Sequence, residues 1–232
     1  MSDRILFRQL FDYETWTYTY LLADPETKEA ALIDTVKEQA ERDLNLLREL
    51  GLKLKYVLDT HIHADHITAA ATLRAKTGAK VGVSAVAGVH CADIAIKDGD
   101  ELSLGKIKIR AISTPGHTNT CTSYFCEGRV FTGDTLFIRD AGRTDFQEGS
   151  PESMYDSVTR KLFTLPDDTL VFPGHDYKGN MMSTIREEKA HNSKFGGGRT
   201  LAQFKELMAA MKLGQPKKIH IAVPANMECG GL

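Results

Sequence analysis

The spacing of apolar and polar residues predicts a chain in which strands and helices alternate. Residues 4–35 fit an antiparallel meander of strands, whose clearest member is the aromatic and β-branched run over 15–22. Apolar positions at helical spacing predict helices over 37–50 and 67–77, ended by Gly51 and Gly78. Strands predicted at 55–60 and 81–83 flank the second helix, so this stretch fits a strand–helix–strand crossover.

A second β-rich region begins near residue 98. One predicted strand starts near residue 102, and others lie over 107–112 and 169–172. Residues 123–126 and 129–132 are predicted to form a hairpin. Helices are expected over 151–163, 181–190 and 200–212, with a mobile glycine run at 196–198 between the last two. The pattern therefore predicts an α+β fold in one domain over 1–232, with two sheets packed on each other and helices outside.

Candidate metal ligands are concentrated in the segment 59–66, directly after a predicted strand. His61 and His63 are separated by one residue, so an extended backbone projects them to the same side. Asp65 and His66 lie at the following turn, and such donors suit zinc, iron, manganese or nickel. The alternative interpretation is a solvated histidine-rich turn, or an aspartate that caps the next helix.

Three further donor residues also follow predicted strands. His117, Asp134 and His175 each come directly after a glycine, a residue that permits close approach of the backbone. A single histidine after a strand is usually structural. Here the segment 61–66 and the three later residues all place donor side chains at strand ends, and four such positions predict a metal site.

Composition narrows the class of protein without identifying it. The net charge is −2, from 29 basic and 31 acidic residues, which gives no indication of a nucleic-acid or membrane surface. No apolar run is long enough for a transmembrane helix, and the first residues show no targeting signal. The four cysteines are irregularly spaced and are expected to be free thiols in a reducing compartment. A cytoplasmic location is the resulting expectation.

The motif His-x-His-x-Asp-His after a strand resembles the signature of the metallo-β-lactamase superfamily. The resemblance implies an α/β/β/α sandwich and allows two metals. His61, His63 and His117 would bind the first metal, and Asp65, His66 and His175 the second, with Asp134 bridging them. All these residues are present, so the ligand inventory favours neither one metal nor two.

Four stretches, at 63–68, 134–147, 174–177 and 223–230, more specifically resemble the persulfide dioxygenases. That resemblance implies one Fe(II) per chain, bound by His61, His117 and Asp134, with three coordination positions open. The other catalytic residues expected around it are His63, Asp65, His66, His175, Asp176 and Arg143.

The implied reaction converts glutathione persulfide, O2 and water to glutathione and sulfite. Arg139, Tyr177 and Asn226 are the candidate substrate-binding residues, because the substrate carries two carboxylates. For Arg143 a structural salt bridge to Asp176 or Asp145 is the alternative role. For Cys229 the alternatives are a functional thiol and a small packed residue.

Two other functions remain open. A glyoxalase II-like thioesterase would use two metals on the same fold, and the C-terminal part is short for the helical substrate domain of that family. A metal-binding flavoprotein partner or redox scaffold would need no catalysis, but 232 residues leave no room for a flavodoxin-like second domain. The sequence does not determine the oligomeric state, and a homodimer is kept as a hypothesis.

Overall fold

The computed structural model describes residues 4–231. Residues 1–3 and 232 lie outside this range, so the targeting-signal expectation and the ends of the predicted domain fall partly there. The strands are β1 (Leu6–Asp12), β2 (Thr17–Ala23), β3 (Glu29–Ile33), β4 (Lys53–Leu58), β5 (Lys80–Ser84), β6 (Ile94–Ile96), β7 (Glu101–Leu104), β8 (Ile107–Ser113), β9 (Thr122–Cys126), β10 (Arg129–Gly133), β11 (Leu170–Pro173) and β12 (Ser183–Thr184). The helices are α1 (Ala40–Glu49), α2 (Ala70–Thr77), α3 (Pro151–Asp156), α4 (Ile185–His191), α5 (Leu201–Ala209) and α6 (Ile219–Met227).

Residues 4–231 form two six-stranded sheets. The first has the order β1-β2-β3-β4-β5-β6, antiparallel up to β3 and parallel from β3 to β6. The second has the order β12-β11-β10-β9-β8-β7, and only its β10–β11 pair is parallel. The predicted meander, crossover and 123–132 hairpin are confirmed, because each matches the observed pairing.

The largest buried side chains lie between the two sheets. Tyr20 and Ile33 of the first sheet share one apolar cluster with Tyr124, Phe131 and Phe172 of the second. Separate clusters join the outer face of the first sheet to α1 and α2, and that of the second to α3, α4 and α5. The predicted α/β/β/α sandwich is therefore confirmed.

The sequence placed some element ends incorrectly and missed three elements, β6, β12 and α6. The helix predicted over 181–190 begins at Ile185, because Ser183 and Thr184 pair with β11 and Thr184 caps the helix. The next helix ends at Ala209 rather than at residue 212, and the glycines over 196–198 form a short 3-10 turn. β6 was not predicted, and neither was α6, whose internal Pro224 is unusual in a helix.

The expectation of four free thiols is wrong for two of the cysteines. Cys91 and Cys229 form a disulfide that joins positions 138 residues apart, whereas Cys121 and Cys126 are free and buried. The pairing was invisible in the sequence because cysteine spacing alone does not give connectivity. Among the described helices, none has the length and apolar character needed to cross a membrane.

Candidate metal centre

The four predicted donor positions converge at one edge of the sandwich. His61, His117, Asp134 and His175 follow the C-terminal ends of β4, β8, β10 and β11 respectively. Backbone hydrogen bonds join the two sheets at this edge, from Thr122 N to Thr60 O at 2.8 Å and from Tyr18 N to Gly174 O at 2.9 Å. Both sheets therefore contribute donors to one site.

One cluster consists of His61, His117 and Asp134, whose potential ligand atoms all lie within 4.8 Å of one another. His61 is 4% exposed and Asp134 9%. The Nδ1 atom of His117 lies 2.7 Å from the carbonyl oxygen of Arg143, and that of His61 lies 3.0 Å from Thr60 Oγ1. These contacts occupy Nδ1 of each ring and leave Nε2 to bind a metal, which is how outer partners commonly orient histidine ligands.

A second cluster consists of His63, Asp65 and His66, whose ligand atoms also lie within 4.8 Å of one another. His175 adjoins it, with Nε2 at 3.6 Å from both Asp65 Oδ2 and Asp134 Oδ1. The Nδ1 atom of His175 lies 3.0 Å from the carbonyl oxygen of Trp16. The donors around Asp134 can therefore hold one metal, with a second group of polar side chains beside it.

The buried polar atoms of these clusters indicate that the site fits a cation. His63 Nδ1, His66 Nε2 and Asp134 Oδ1 are buried and have no hydrogen-bond partner among the described residues. Buried polar atoms are almost always paired in folded proteins, so unpaired ones within two neighbouring groups of possible metal ligands indicate a bound ligand. Imidazole and carboxylate donors are suited to a first-row transition metal.

Burial and neighbouring charges shift the pKa values of His61 and His63 in opposite directions. Burial holds the pKa of His61 well below its usual value, and the nearby His63 adds to the effect, so His61 is neutral and able to bind metal. Burial also opposes charge on His63, but Asp34 outweighs it and raises the pKa of His63 to about 10. His63 Nε2 lies 3.1 Å from Asp34 Oδ1. Asp34 was not predicted as a site residue, and its signal was the carboxylate at the end of β3.

The glycines that precede the donors are required by close packing. A Cβ atom at Gly174 would lie 2.6 Å from Asp134 Oδ1. Gly133 has a φ of +49°, and its Cβ would lie 2.4 Å from Thr60 Oγ1. Any larger residue at either position would displace the backbone or the donor beside it.

A cavity of about 720 Å³ opens at the metal centre. Its wall includes Tyr177, which was predicted to contact substrate and whose ring stacks on His175 at a centroid distance of 5.9 Å. Arg143 also lines the cavity, and its guanidinium forms two hydrogen bonds to Asp145, at 2.6 and 2.7 Å. The salt bridge considered for Arg143 is therefore present, with Asp145 rather than Asp176 as the partner, and its catalytic role stays a prediction.

The structure corrects the expected role of Arg139. This residue is absent from the cavity wall, and its guanidinium pairs with Glu188 and Glu187. Because the Glu188 side chain is fully buried, the ion pair serves the packing of α4 rather than substrate binding.

The expected roles of Asn226 and Asp176 are also corrected. Asn226 is 3% exposed, and its amide bonds to the backbone of residues 63–68 instead of facing the cavity. Asp176 reaches the cavity wall, but its Oδ1 accepts hydrogen bonds from the backbone amides of Lys178 and Asn180. Its carboxylate therefore stabilises a turn and is not free for catalysis.

Three lysines of the cavity wall were missed by sequence reasoning. Lys217 and Lys218 lie in the segment between α5 and α6 and line the cavity with Lys178. Their only sequence signal was a Lys-Lys pair after Pro216, and such a pair usually lies on a solvated surface.

The sequence and the structure of this chain were compared with those of known proteins. Residues 17–175 match the metallo-β-lactamase superfamily. The chain is 45% identical over 231 residues to "Persulfide dioxygenase ETHE1, mitochondrial" from Homo sapiens, covering 97% of this chain and 89% of that protein. A crystal structure of ETHE1 from Myxococcus xanthus superposes with a TM-score of 0.94 at 52% identity, covering 97% of this chain and 99% of that one. "Glyoxylase B2" of Dictyostelium discoideum is 28% identical, covering 100% of this chain and 93% of that protein. The chain therefore belongs to the persulfide dioxygenase family of the metallo-β-lactamase superfamily.

Proposed function

We propose that this persulfide dioxygenase oxidises glutathione persulfide at one Fe(II) per chain, bound by His61, His117 and Asp134. The observation that carries the proposal is the grouping of these three donors within 4.8 Å in a member of this family. Two histidines and one carboxylate leave coordination positions open, as non-haem Fe(II) oxygenases require. The overall reaction consumes one persulfide, one O2 and one water, and it yields glutathione and sulfite.

When bound, Fe(II) supplies redox chemistry toward O2 and a Lewis-acidic position for the sulfur of the persulfide. The chain itself fixes the geometry around that position. The Arg143 carbonyl orients His117, Thr60 orients His61, and Asp34 holds the ring of His63. Such outer contacts keep the donors aligned while substrate enters.

The residues next to the triad control protons and charge. His66 Nδ1 lies 2.9 Å from Asp65 Oδ2, and His175 Nε2 lies 3.6 Å from Asp65 and from Asp134. Burial opposes the ionised form of Asp65, but His66 and His175 hold its pKa well below the usual range. We assign this network, whose Asp65 reaches the cavity wall, the task of balancing the anionic substrate and the protons released with sulfite.

We assign the carboxylates of the glutathione part to the cationic wall of the cavity. Lys178, Lys217 and Lys218 line it. Across residues 4–231 their ammonium groups form no ion pair with an aspartate or glutamate. The ring of Tyr177 adds an apolar and hydrogen-bonding surface near His175. Four expectations stay predictions: the preference for glutathione persulfide among small persulfides, a single domain over 1–232, the cytoplasmic location and the homodimer.

A glyoxalase II-like thioesterase is the second candidate. The cluster of His63, Asp65 and His66 favours it, since this cluster could bind a second metal. The relative that supports it is more distant, at 28% identity.

Oxygen uptake distinguishes the two candidates. Purified protein is given glutathione persulfide in an oxygen electrode, and sulfite is measured in the same sample. In parallel, hydrolysis of S-lactoylglutathione is followed by thioester absorbance, and metals are quantified. We expect about one O2 per sulfite, about one iron per chain and negligible thioester hydrolysis. The His61→Ala variant, which removes a ligand, controls for non-enzymatic persulfide oxidation. Thioester hydrolysis without oxygen uptake, in protein with two metals per chain, would establish the hydrolase instead.

A further inference from the structure

One buried amide of the C-terminal helix binds the loop that carries the metal-binding motif. Asn226, in α6, donates from Nδ2 to the carbonyl oxygens of His63 and His66, at 2.9 and 2.8 Å. Its Oδ1 accepts a hydrogen bond from the amide of Thr68 at 2.9 Å. A single side chain thus holds three backbone groups across residues 63–68.

These contacts determine the shape of the loop. Residues 61–68 lie between β4 and α2 and belong to neither element, so they lack a regular ladder of backbone hydrogen bonds. Buried backbone groups outside regular structure need side-chain partners. The carbonyl groups of His63 and His66 accept hydrogen bonds from the same amide. This shared contact fixes the conformation of the turn that carries Asp65 and His66.

The rest of the C-terminal segment is attached to α2, to the chain after β5 and to the end of the loop. The Cys229 carbonyl accepts a hydrogen bond from Ala71 at the start of α2, at 2.9 Å. The Cys91–Cys229 disulfide ties the same segment to the chain after β5. Close packing completes the attachment, since a Cβ atom at Gly230 would lie 2.1 Å from the Thr68 carbonyl oxygen. The segment is therefore held rigidly against the base of the loop.

We infer that Asn226 is a positioning residue that sets the affinity of the metal centre through the backbone of residues 63–68, which continue the β4–α2 connection that carries the proposed ligand His61. It touches neither the cavity nor the three proposed ligands, so it acts on metal binding only by holding the loop. The inference rests on the proposed function only in requiring that a metal occupies the centre.

Metal affinity measured without substrate or O2 tests the inference. Metal-free protein is titrated anaerobically with Fe(II), and with Co(II) for its absorption spectrum, in wild type, Asn226→Asp and Asn226→Ala. Asn226→Asp keeps the shape of the side chain but replaces the donating nitrogen by an oxygen, which faces the carbonyl oxygens of His63 and His66. It provides the test if Asn226→Ala does not fold. We expect affinity to fall about tenfold or more and the Co(II) spectrum to change.

Thr200→Ala provides the matched control. Thr200 caps α5, so its loss weakens a helix that contributes no donor to the metal centre. We expect this control to bind metal like wild type even where its melting temperature falls as far as that of Asn226→Asp. Metal affinity in Asn226→Asp within twofold of wild type, or an equal loss in Thr200→Ala, would overturn the inference. Because O2 and persulfide are absent, failure of the dioxygenase proposal would leave this result interpretable.

Discussion

His63 Nε2 lies 3.1 Å from Asp34 Oδ1, and both side chains are 1% exposed. Asp34 also accepts hydrogen bonds from the backbone amide and the hydroxyl of Thr60, so its carboxylate is held in place. The ring of His63 is therefore fixed by the residue that directly follows β3, and its Nδ1 is left without a hydrogen-bond partner. The same arrangement orients histidine ligands in metal sites, so the first prediction below tests whether His63 supports the three proposed ligands or binds metal itself.

The first prediction separates ligands from supporting residues. His61→Ala, His117→Ala and Asp134→Ala should each lose iron and activity, because each removes one of three donors. His63→Ala and His175→Ala should retain iron and lose activity by about 10–100-fold, as outer partners of a metal site do. Iron content and oxygen uptake are measured on the same preparations. If His63→Ala loses iron as fully as His61→Ala, three donors are not the whole ligand set.

The second prediction concerns the cationic wall. Replacing Lys217 and Lys218 by alanine should raise KM for glutathione persulfide by about 1.4- to fivefold per lysine, since exposed charge pairs contribute about 0.2–1 kcal/mol. The turnover number should change little, because the contact is equal in ground and transition states. Lys212→Ala is the control, as it lies on the same segment but outside the cavity wall. Equal KM values in all variants would exclude the two lysines from substrate binding.

The third prediction concerns Arg139. Its guanidinium pairs with the fully buried Glu188, so Arg139→Ala should lower the free energy of unfolding by about 1–3 kcal/mol. KM for glutathione persulfide should stay at the wild-type value. Urea unfolding and steady-state kinetics check the two statements, and a raised KM in a variant of normal stability would restore the substrate role.

The fourth prediction concerns Asp43 in α1, which is 1% exposed. Burial raises its pKa from 3.8 to about 6, although Arg42 opposes the shift. The folded state therefore binds more protons than the unfolded state between about pH 4 and 6. This stabilising contribution is complete below pH 4 and is lost as pH rises through 6.

Asp43→Asn should consequently be more stable than wild type at pH 8, by about 1–3 kcal/mol, and the difference should shrink toward pH 4. Thermal unfolding from pH 4 to 8 measures the difference. Asp156→Asn is the control, because that aspartate is half exposed and forms only a surface ion pair. A difference that does not change with pH would contradict the assigned pKa of Asp43.

The sequence alone determined the elements and the donor positions. Strand and helix periodicity reflects which residues face a core, and this information is local, so the two sheets and most helices were predictable. The glycines before His117, Asp134 and His175 were visible in the sequence, but the residues that approach them, Met154, Thr60 and Asp134 respectively, were not. β6 escaped because it has three residues, and α6 because Pro224 interrupts its pattern.

Only the tertiary structure decided which side chains meet across long separations. It paired Arg139 with Glu188, Cys91 with Cys229 and Asn226 with the metal-binding loop, over separations of 49, 138 and up to 163 residues. It also chose which ring nitrogen of His63, His117 and His175 is free, because their hydrogen-bond partners Asp34, Arg143 and Trp16 are distant in the sequence. Sequence spacing carries no record of such contacts, since they exist only once the two sheets and their outer helices have packed together.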